Sequence, residues 1–447
     1  MIYFTLPNTN NSIYKYIDCI FSDENEHDDK CPRLFDISNS LSFYLYEMKN
    51  KIKKYEREWD VYKRYTNPYE FINTVVPGKT KCVAKYKPLS RSYFKMVEML
   101  YFFFLEEFVG GRNAVEPVSP PPGLVKKPRK PIRSFHLAEG PGGFIEALAN
   151  VRNNPDDMYV GMTILESKTD ISSSNKNSGK HNKSVPGWKK SEYFLKSHTN
   201  IYIEAGADNT GNILSMDNFL HCRTKYGSSM DLITGDGGFD FSADFNNQEM
   251  NITQLLFAQM CYALCLQKHT GSFILKIFDC FMEQSIDILY ILSAFYETVY
   301  ITKPKTSRYA NSEKYLVCKN FLLFDDSSVF PCLKMAFQKM VGSEPERAIY
   351  RFLKIPVPSY YIYKLEEYNT IYGQQQIENI YQTIVLIDQN RPETESDGRW
   401  ELDHRRHTDD EFSPSTKINN LVRINLRKCV QWCLNHNIPY NIMDEGY

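Results

Sequence analysis

The sequence predicts an α/β protein built on an open, mostly parallel sheet with helices on both faces. Three observations predict it. From Ser134 to Phe321, short apolar runs alternate with longer stretches of helical periodicity. Strands separated by helices are joined by crossovers, which places them parallel in one covered sheet. A glycine turn, Glu139-Gly140-Pro141-Gly142-Gly143, follows the first run and opens a helix. That is where a doubly wound sheet keeps a ligand loop.

The elements follow in order. In residues 1–85, an N-terminal extension, Tyr44, Met48, Ile52, Tyr55, Trp59 and Tyr62 recur every three or four positions. They predict an amphipathic helix with a solvated basic face. Residues 86–340 form the central domain. A helix is expected through residues 91–108, then a Pro-rich basic linker, because proline fixes φ and removes donors. Strand 134–138, the glycine turn, helix 144–151 and strand 158–164 come next. Residues 166–188, rich in Ser, Asn and Lys, read as a surface insertion. Strands 200–205 and 230–238, helix 248–269 and strand 272–279 continue the series. Helix 283–297 and strands 298–304 and 313–321 complete it. The last two strands share a short loop, so they should pair antiparallel at one sheet edge, giving seven strands. Residues 341–447 read as mainly helical, with a final helix from Thr416 to Asn435.

Composition narrows the function classes. With 447 residues, a prior of roughly 150 per domain allows two or three domains. Lys and Arg number 53 against 54 Asp and Glu, which excludes a uniformly cationic nucleic-acid coat but leaves room for a local basic patch. Aromatic residues make up 14%, too much ring surface for a disordered chain. A mean hydropathy of -0.45 and no long apolar run argue against a membrane span. The 11 Cys are scattered. Cys261/Cys265 and Cys429/Cys433 sit four apart with no further ligands nearby, so structural thiols, and no metal, are expected. Reduced thiols and an N-terminus without signal-peptide character predict an intracellular protein.

Ligands of an open parallel sheet bind outside the carboxyl ends of its strands. Three features fall there. The glycine turn lets a ligand approach the backbone and the following helix N-terminus. It misses the dinucleotide pattern, because Ile145 stands where a third glycine would fall. Asp236, before Gly237 and Gly238, is an acid in a sharp turn, or an Asx-turn residue that only shapes the loop. Lys276 lies inside the apolar strand Phe273–Phe278. A buried lysine is costly unless paired, and the alternative is a side chain that snorkels from an edge strand. Near other cations, desolvation would favour its neutral amine, a usable base. Lys95 in the helix 91–108 and Glu313 before the last strand would each be ordinary alone.

Together these pieces resemble a known family. Glu139–Phe144, Gly235–Gly238, Ile274–Phe278 and the segment Ser307-Arg308-Tyr309-Ala310-Asn311-Ser312-Glu313 are similar to the FtsJ-like ribose 2'-O-methyltransferases. The nearest branch is the mRNA cap methyltransferases of eukaryotes and large cytoplasmic DNA viruses. The resemblance covers residues 91–321. It implies a class I, Rossmann-like methyltransferase fold that binds S-adenosylmethionine. It also implies a Lys-Asp-Lys-Glu tetrad on Lys95, Asp236, Lys276 and Glu313. The cofactor loop maps to Glu139, Gly140, Pro141, Gly142 and Gly143, with Asp236 and Asp208 beside it. Strand 158–164 ends without the usual acid, with Glu166 just beyond.

The resemblance further implies Lys276 as general base. Lys95 would orient the ribose hydroxyl, and Asp236 and Glu313 would fix both lysines. Arginine could not replace Lys276, because guanidinium does not deprotonate usefully. Lys126, Lys127, Arg129, Lys130 and Arg133 are candidate RNA-phosphate contacts. Capped mRNA is the expected partner, with other capping or transcription proteins as further candidates and no membrane. The Asn-, Lys- and Tyr-rich composition suits an AT-rich genome, so a cytoplasmic place is expected, a viral factory or virion if the source is viral. Three alternatives stay open: a ribosomal or transfer RNA 2'-O-methyltransferase, a catalytically inactive RNA-binding or assembly subunit, and a dinucleotide-dependent oxidoreductase. Ile145 and the buried Lys276 speak against the last.

Overall fold

The structure, a computed structural model, describes residues 1–22, 37–110, 130–165, 187–238, 248–343, 347–391 and 416–443. Lys126, Lys127, Arg129, Glu166 and most of the expected insertion lie outside these. The chain divides into two compact units. The first comprises Met1–Ser42, Pro88–Ser307 and Ser312–Thr370; the second comprises Phe43–Lys87, Arg308–Asn311 and Ile371–Tyr447.

The first unit is built on an eight-stranded sheet. Its strands in chain order are β1 (Ile2–Leu6), β3 (Arg133–Leu137), β4 (Met158–Met162), β5 (Ile201–Ile203), β6 (Met230–Gly235), β7 (Gln267–Ile277), β8 (Tyr296–Lys303) and β9 (Lys314–Phe321). A separate two-stranded sheet pairs β2 (Ile17–Phe21) with β10 (Ile349–Leu353). The large sheet runs β1-β8-β9-β7-β6-β3-β4-β5. Strands β5, β4, β3, β6 and β7 are mutually parallel. Helices α3 (Ser92–Phe103), α4 (Gly143–Arg152), α5 (Glu192–Ser197), α6 (Met216–Tyr226), α7 (Gln248–Leu266), α8 (Glu283–Phe295) and α9 (Phe330–Gly342) also belong to this unit. α7 is buried around nearly its whole circumference, as its apolar run requires.

Three details differ from the sequence expectation. The sheet has eight strands, because β1, from the presumed N-terminal extension, pairs antiparallel with β8 and satisfies that edge. The boundary expected at residue 85 therefore leaves out a strand of the central sheet. The antiparallel strand β9 is not at the edge; it lies between β7 and β8 and pairs antiparallel with both. Five of its first residues, Lys314 to Cys318, are buried, which suits an interior strand. The helix expected through Phe108 ends at Phe103, and a separate turn over Leu105–Val109 closes at Gly110 with φ +94°.

The second unit contains most of α1 (Asn39–Lys51), α2 (Glu56–Thr66), the later part of α10 (Ser359–Asp388), and α11 (Thr416–Asn435). Met48 and Tyr55 form a core with Ile380, Ile384 and Ile387, flanked by Ile52, Trp59 and Tyr62. The periodic positions read from the sequence therefore face that core, except Tyr44, which is exposed. The single helix expected there is two, joined by a tight turn at Ile52–Tyr55. Among the described residues no helix is long and apolar enough to cross a membrane.

Candidate active site

Strand register brings the site together. Leu137 of β3 pairs with Gly235 of β6, and Gly235 pairs with Leu275 of β7. Glu139, Asp236 and Lys276 therefore leave three adjacent strands at one level, on the carboxyl edge. Lys276 in turn pairs with Tyr315 of β9, and Glu313 lies just before that strand.

The tetrad residues meet as two pairs. Lys276 Nζ lies 2.5 Å from the Asp236 main-chain oxygen and 3.3 Å from its Oδ1. Lys95 Nζ lies 2.7 Å from Glu313 Oε1 and 2.8 Å from Oε2. The Lys95 and Glu313 side chains are only 9% and 13% exposed, so each needs the other. Burial alone would push the Glu313 carboxyl up. The charges of Lys95 and Lys276, with the Lys95 hydrogen bond and Lys303, outweigh it and hold the group well below the usual carboxylate range.

Neighbouring residues fix these four. Tyr315 donates its hydroxyl to Asp236 Oδ1 at 3.0 Å. Gln259, fully buried on α7, accepts the Gly237 N–H at 3.3 Å. A Cβ on Gly235 or Gly237 would meet that Gln259 oxygen at 2.5 or 3.0 Å, so the glycines make room for the prop. Ser307 donates to Glu313 Oε1 at 2.8 Å. Along α3, Glu98 accepts the N–H groups of Lys305 and Thr306, while Arg91 donates to the Thr306 carbonyl. Arg91, Lys95 and Glu98 are three or four residues apart, so one helix face holds both the loop and Glu313. None of Tyr315, Gln259, Ser307, Glu98 or Lys303 was marked as a site residue from the sequence. Two signals were present: Gln259 is a polar break in an apolar helix, and Lys303 closes an apolar strand.

The glycine loop meets the same edge. Glu139 Oε1 accepts the N–H groups of Phe144 at 2.7 Å and Ile145 at 3.1 Å, capping α4. Its Oε2 is buried without a partner among the described residues. Burial, then the Asp236 charge, push the Glu139 carboxyl up to about 8, against the two helix N–H groups and Lys276. Gly142 sits at φ +105°, which favours glycine. Gly143 admits the Ser90 and Ser92 hydroxyls where a Cβ would stand.

Other expected site residues are placed elsewhere. Asp208 spends Oδ1 on Thr210 and Asn218, bracing its own loop. Burial opposes ionisation there, yet these bonds bring Asp208 down to about 2. The structure does not bring it to the tetrad. Arg133 opens β3 and Lys130 precedes it, so both sit at the amino ends of the strands, the edge opposite the tetrad. The Arg133 N–H donates to Asp231, and the Lys130 carbonyl accepts from Arg152. Cys261, Cys265, Cys429 and Cys433 are buried free thiols, and no metal-binding cluster occurs among the described residues.

A parallel sheet with one inserted antiparallel strand, a glycine loop after β3 and paired Lys and acid residues at the carboxyl edge define a Rossmann-like methyltransferase. A model of the FtsJ-like methyltransferase family matches residues 88–321, just over half of the chain, and the chain belongs to that family. It is 28% identical over 271 residues to cap-specific mRNA (nucleoside-2'-O-)-methyltransferase 2 of Drosophila melanogaster, covering 60% of this chain and 37% of that one. To cap-specific mRNA (nucleoside-2'-O-)-methyltransferase 1 of Dictyostelium discoideum it is 30% identical over 227 residues, covering 49% and 29%. The chain thus spans well under half the length of these relatives. A putative ribosomal RNA methyltransferase from Plasmodium falciparum is a structural neighbour with TM-score 0.32 and 20% identity, covering 52% of this chain and 98% of that one.

Methyltransferases of this family take the methyl group from S-adenosylmethionine, and the residues present fit that donor. The unpaired Glu139 Oε2 is a buried acceptor that an ammonium group would satisfy.

Proposed function

We propose that the chain is an S-adenosylmethionine-dependent mRNA cap ribose 2'-O-methyltransferase that acts on a 5'-terminal transcribed nucleotide. The observation that carries this reading is the meeting of Lys95–Glu313 and Lys276–Asp236 beside the Glu139 loop. The capped-mRNA substrate is supported by the names of the relatives. A cytoplasmic place accompanies the reading.

When bound, S-adenosylmethionine supplies a methyl group already activated on a sulfonium. The chain's own residues do the rest. Glu139 and the loop Gly140–Gly143 hold the donor. Lys276 Nζ, as the free amine, takes the proton of the ribose 2'-hydroxyl as the oxygen becomes methylated. Lys95 orients that oxygen through its ammonium, and Glu313 keeps Lys95 in place. Tyr315 holds Asp236 and Gln259 holds the next residue, Gly237; Asp236 in turn holds Lys276. Positioning of this kind supplies several kcal/mol of the barrier reduction, roughly 7–11 at the upper limit for ideally placed groups.

The test is incubation of the purified chain with labelled S-adenosylmethionine and capped, uncapped and structured RNAs, followed by mapping of the methylated nucleotide. Label at a 2'-oxygen beside the cap is the expected result. Label confined to structured RNA would move the substrate to ribosomal or transfer RNA. No label, with RNA still bound, would make the chain an inactive RNA-binding subunit.

A further inference from the structure

Lys303 is a buried lysine at this edge that the mechanism above does not use. It ends β8 with only 6% of its surface exposed. Its Nζ donates to the main-chain carbonyl of Glu313 at 2.9 Å. The adjacent pair of strand partners, Thr302 and Tyr315, sets β8 against the start of β9 at this level. The charged groups acting on it are Lys314, Glu313, Asp279 and Lys95. Lys314 is itself tied to Asp279 at 3.0 Å.

Such a location is expensive for an ammonium. Burial, then the Lys314 charge, bring Lys303 down to about 7, against the pull of Glu313 and Asp279. An apolar side chain would fit the strand at lower cost. What lysine adds is the bond to Glu313, whose residue lies one position before β9 and outside its ladder. The Glu313 side chain meets Lys95 and Ser307, so the orientation of Lys95 depends on where this short piece of main chain sits.

We propose that Lys303 is a positioning residue for methyl transfer: its Nζ fixes the main chain of Glu313 and thereby the Lys95 ammonium that faces the acceptor hydroxyl. The inference rests on the methyltransferase reading above. It predicts a specific split in the kinetics. The bond of Lys303 runs to Glu313, which supports Lys95, so binding should survive its loss while turnover falls.

The test compares the full chain with Lys303→Met, which keeps the length of the side chain and removes the donor. Lys303→Gln serves if the first variant does not fold. Steady-state methylation of capped RNA gives kcat and KM, calorimetry gives the Kd for S-adenosylhomocysteine, and thermal melting reports the fold. The expected result is a kcat lowered by about tenfold or more, with KM and Kd within about twofold of wild type. A kcat within about twofold of wild type overturns the inference. So does a loss in which KM and Kd worsen in step with kcat, or failure of both variants to fold, since either makes Lys303 a structural strut. A wild-type chain that transfers no methyl group to any RNA overturns the underlying reading instead.

Discussion

Lys276→Ala is the sharpest perturbation of the proposed chemistry. It deletes an amine held at 2.5 Å by the Asp236 carbonyl and at 3.3 Å by its carboxylate. A positioned general base contributes about 100- to 10,000-fold to a rate. At about 1.4 kcal/mol per decade, that is about 3–5 kcal/mol of lost transition-state stabilisation. The structure limits collateral damage. Asp236 keeps the Tyr315 hydroxyl at 3.0 Å, and Gly237 keeps Gln259, so the turn should hold its shape. Glu139 keeps both helix N–H bonds, so the donor loop is also retained.

Two measurements on the same preparation separate these consequences. Single-turnover transfer of labelled methyl to capped RNA, with both substrates saturating, reads the chemical step. Calorimetric titration with S-adenosylhomocysteine reads the donor site. The expected outcome is a rate lowered by at least about 100-fold with the Kd changed by no more than about threefold. Lys276→Arg should be as inactive as alanine, because guanidinium stays protonated. A Lys276→Ala rate within about tenfold of wild type would refute the assignment of the base.

Three further outcomes follow from the geometry. Glu313→Gln leaves the Lys95 ammonium buried without its counter-charge, which should cost about 3–5 kcal/mol in denaturant unfolding. Because the folded Glu313 carboxyl is held below its ordinary 4.5, its contribution is present above that pH and is lost as pH falls below it. Wild type should therefore lose stability more steeply in acid than Glu313→Gln, and parallel acid melting curves would contradict this. Glu139 behaves oppositely: raised from 4.5 to about 8, its share of stability is present below 4.5 and lost as pH rises towards 8. Glu139→Gln should flatten the melting profile across that window and weaken S-adenosylhomocysteine binding. Gly238→Ala would place a Cβ 3.0 Å from Lys276 Nζ and 3.3 Å from its Cε. The flexible end of the lysine can yield, so melting should be unchanged while turnover falls about tenfold from misplacement of the amine.

The parallel core is legible in the sequence, and two of the candidate site residues stand out there, for a physical reason. Lys95 and Glu313 are ordinary alone and enter only through the family resemblance, but Lys276 is a charge in an apolar strand and Asp236 is an acid in a glycine turn. Such conflicts mark sites. The placement of β9 was less legible, because a short loop after β8 fixes an antiparallel partner but not which side it takes. Only the burial of Lys314 to Cys318 from both faces decides that β9 lies inside. β1 escaped because Ile2–Leu6 is a single short strand far in sequence from its partner. Asp208 shows what the sequence leaves open. An acid in a Gly- and Asn-rich loop can serve a ligand or its own turn, and here its Oδ1 bonds Thr210 and Asn218.

The insertion of β9 also explains why the two pairs can meet at all. Side chains alternate faces along a strand, so the Lys276–Tyr315 match across β7 and β9 puts Tyr315 on the face where Asp236 waits. Glu313, one position before β9, meets Lys95 from α3. A slip of one residue in the β7–β9 register would turn Tyr315 away from Asp236. The Lys276–Asp236 pair would then lose a support. The chemistry proposed for Lys276 therefore depends as much on the antiparallel ladder beside it as on the glycine turn that faces it.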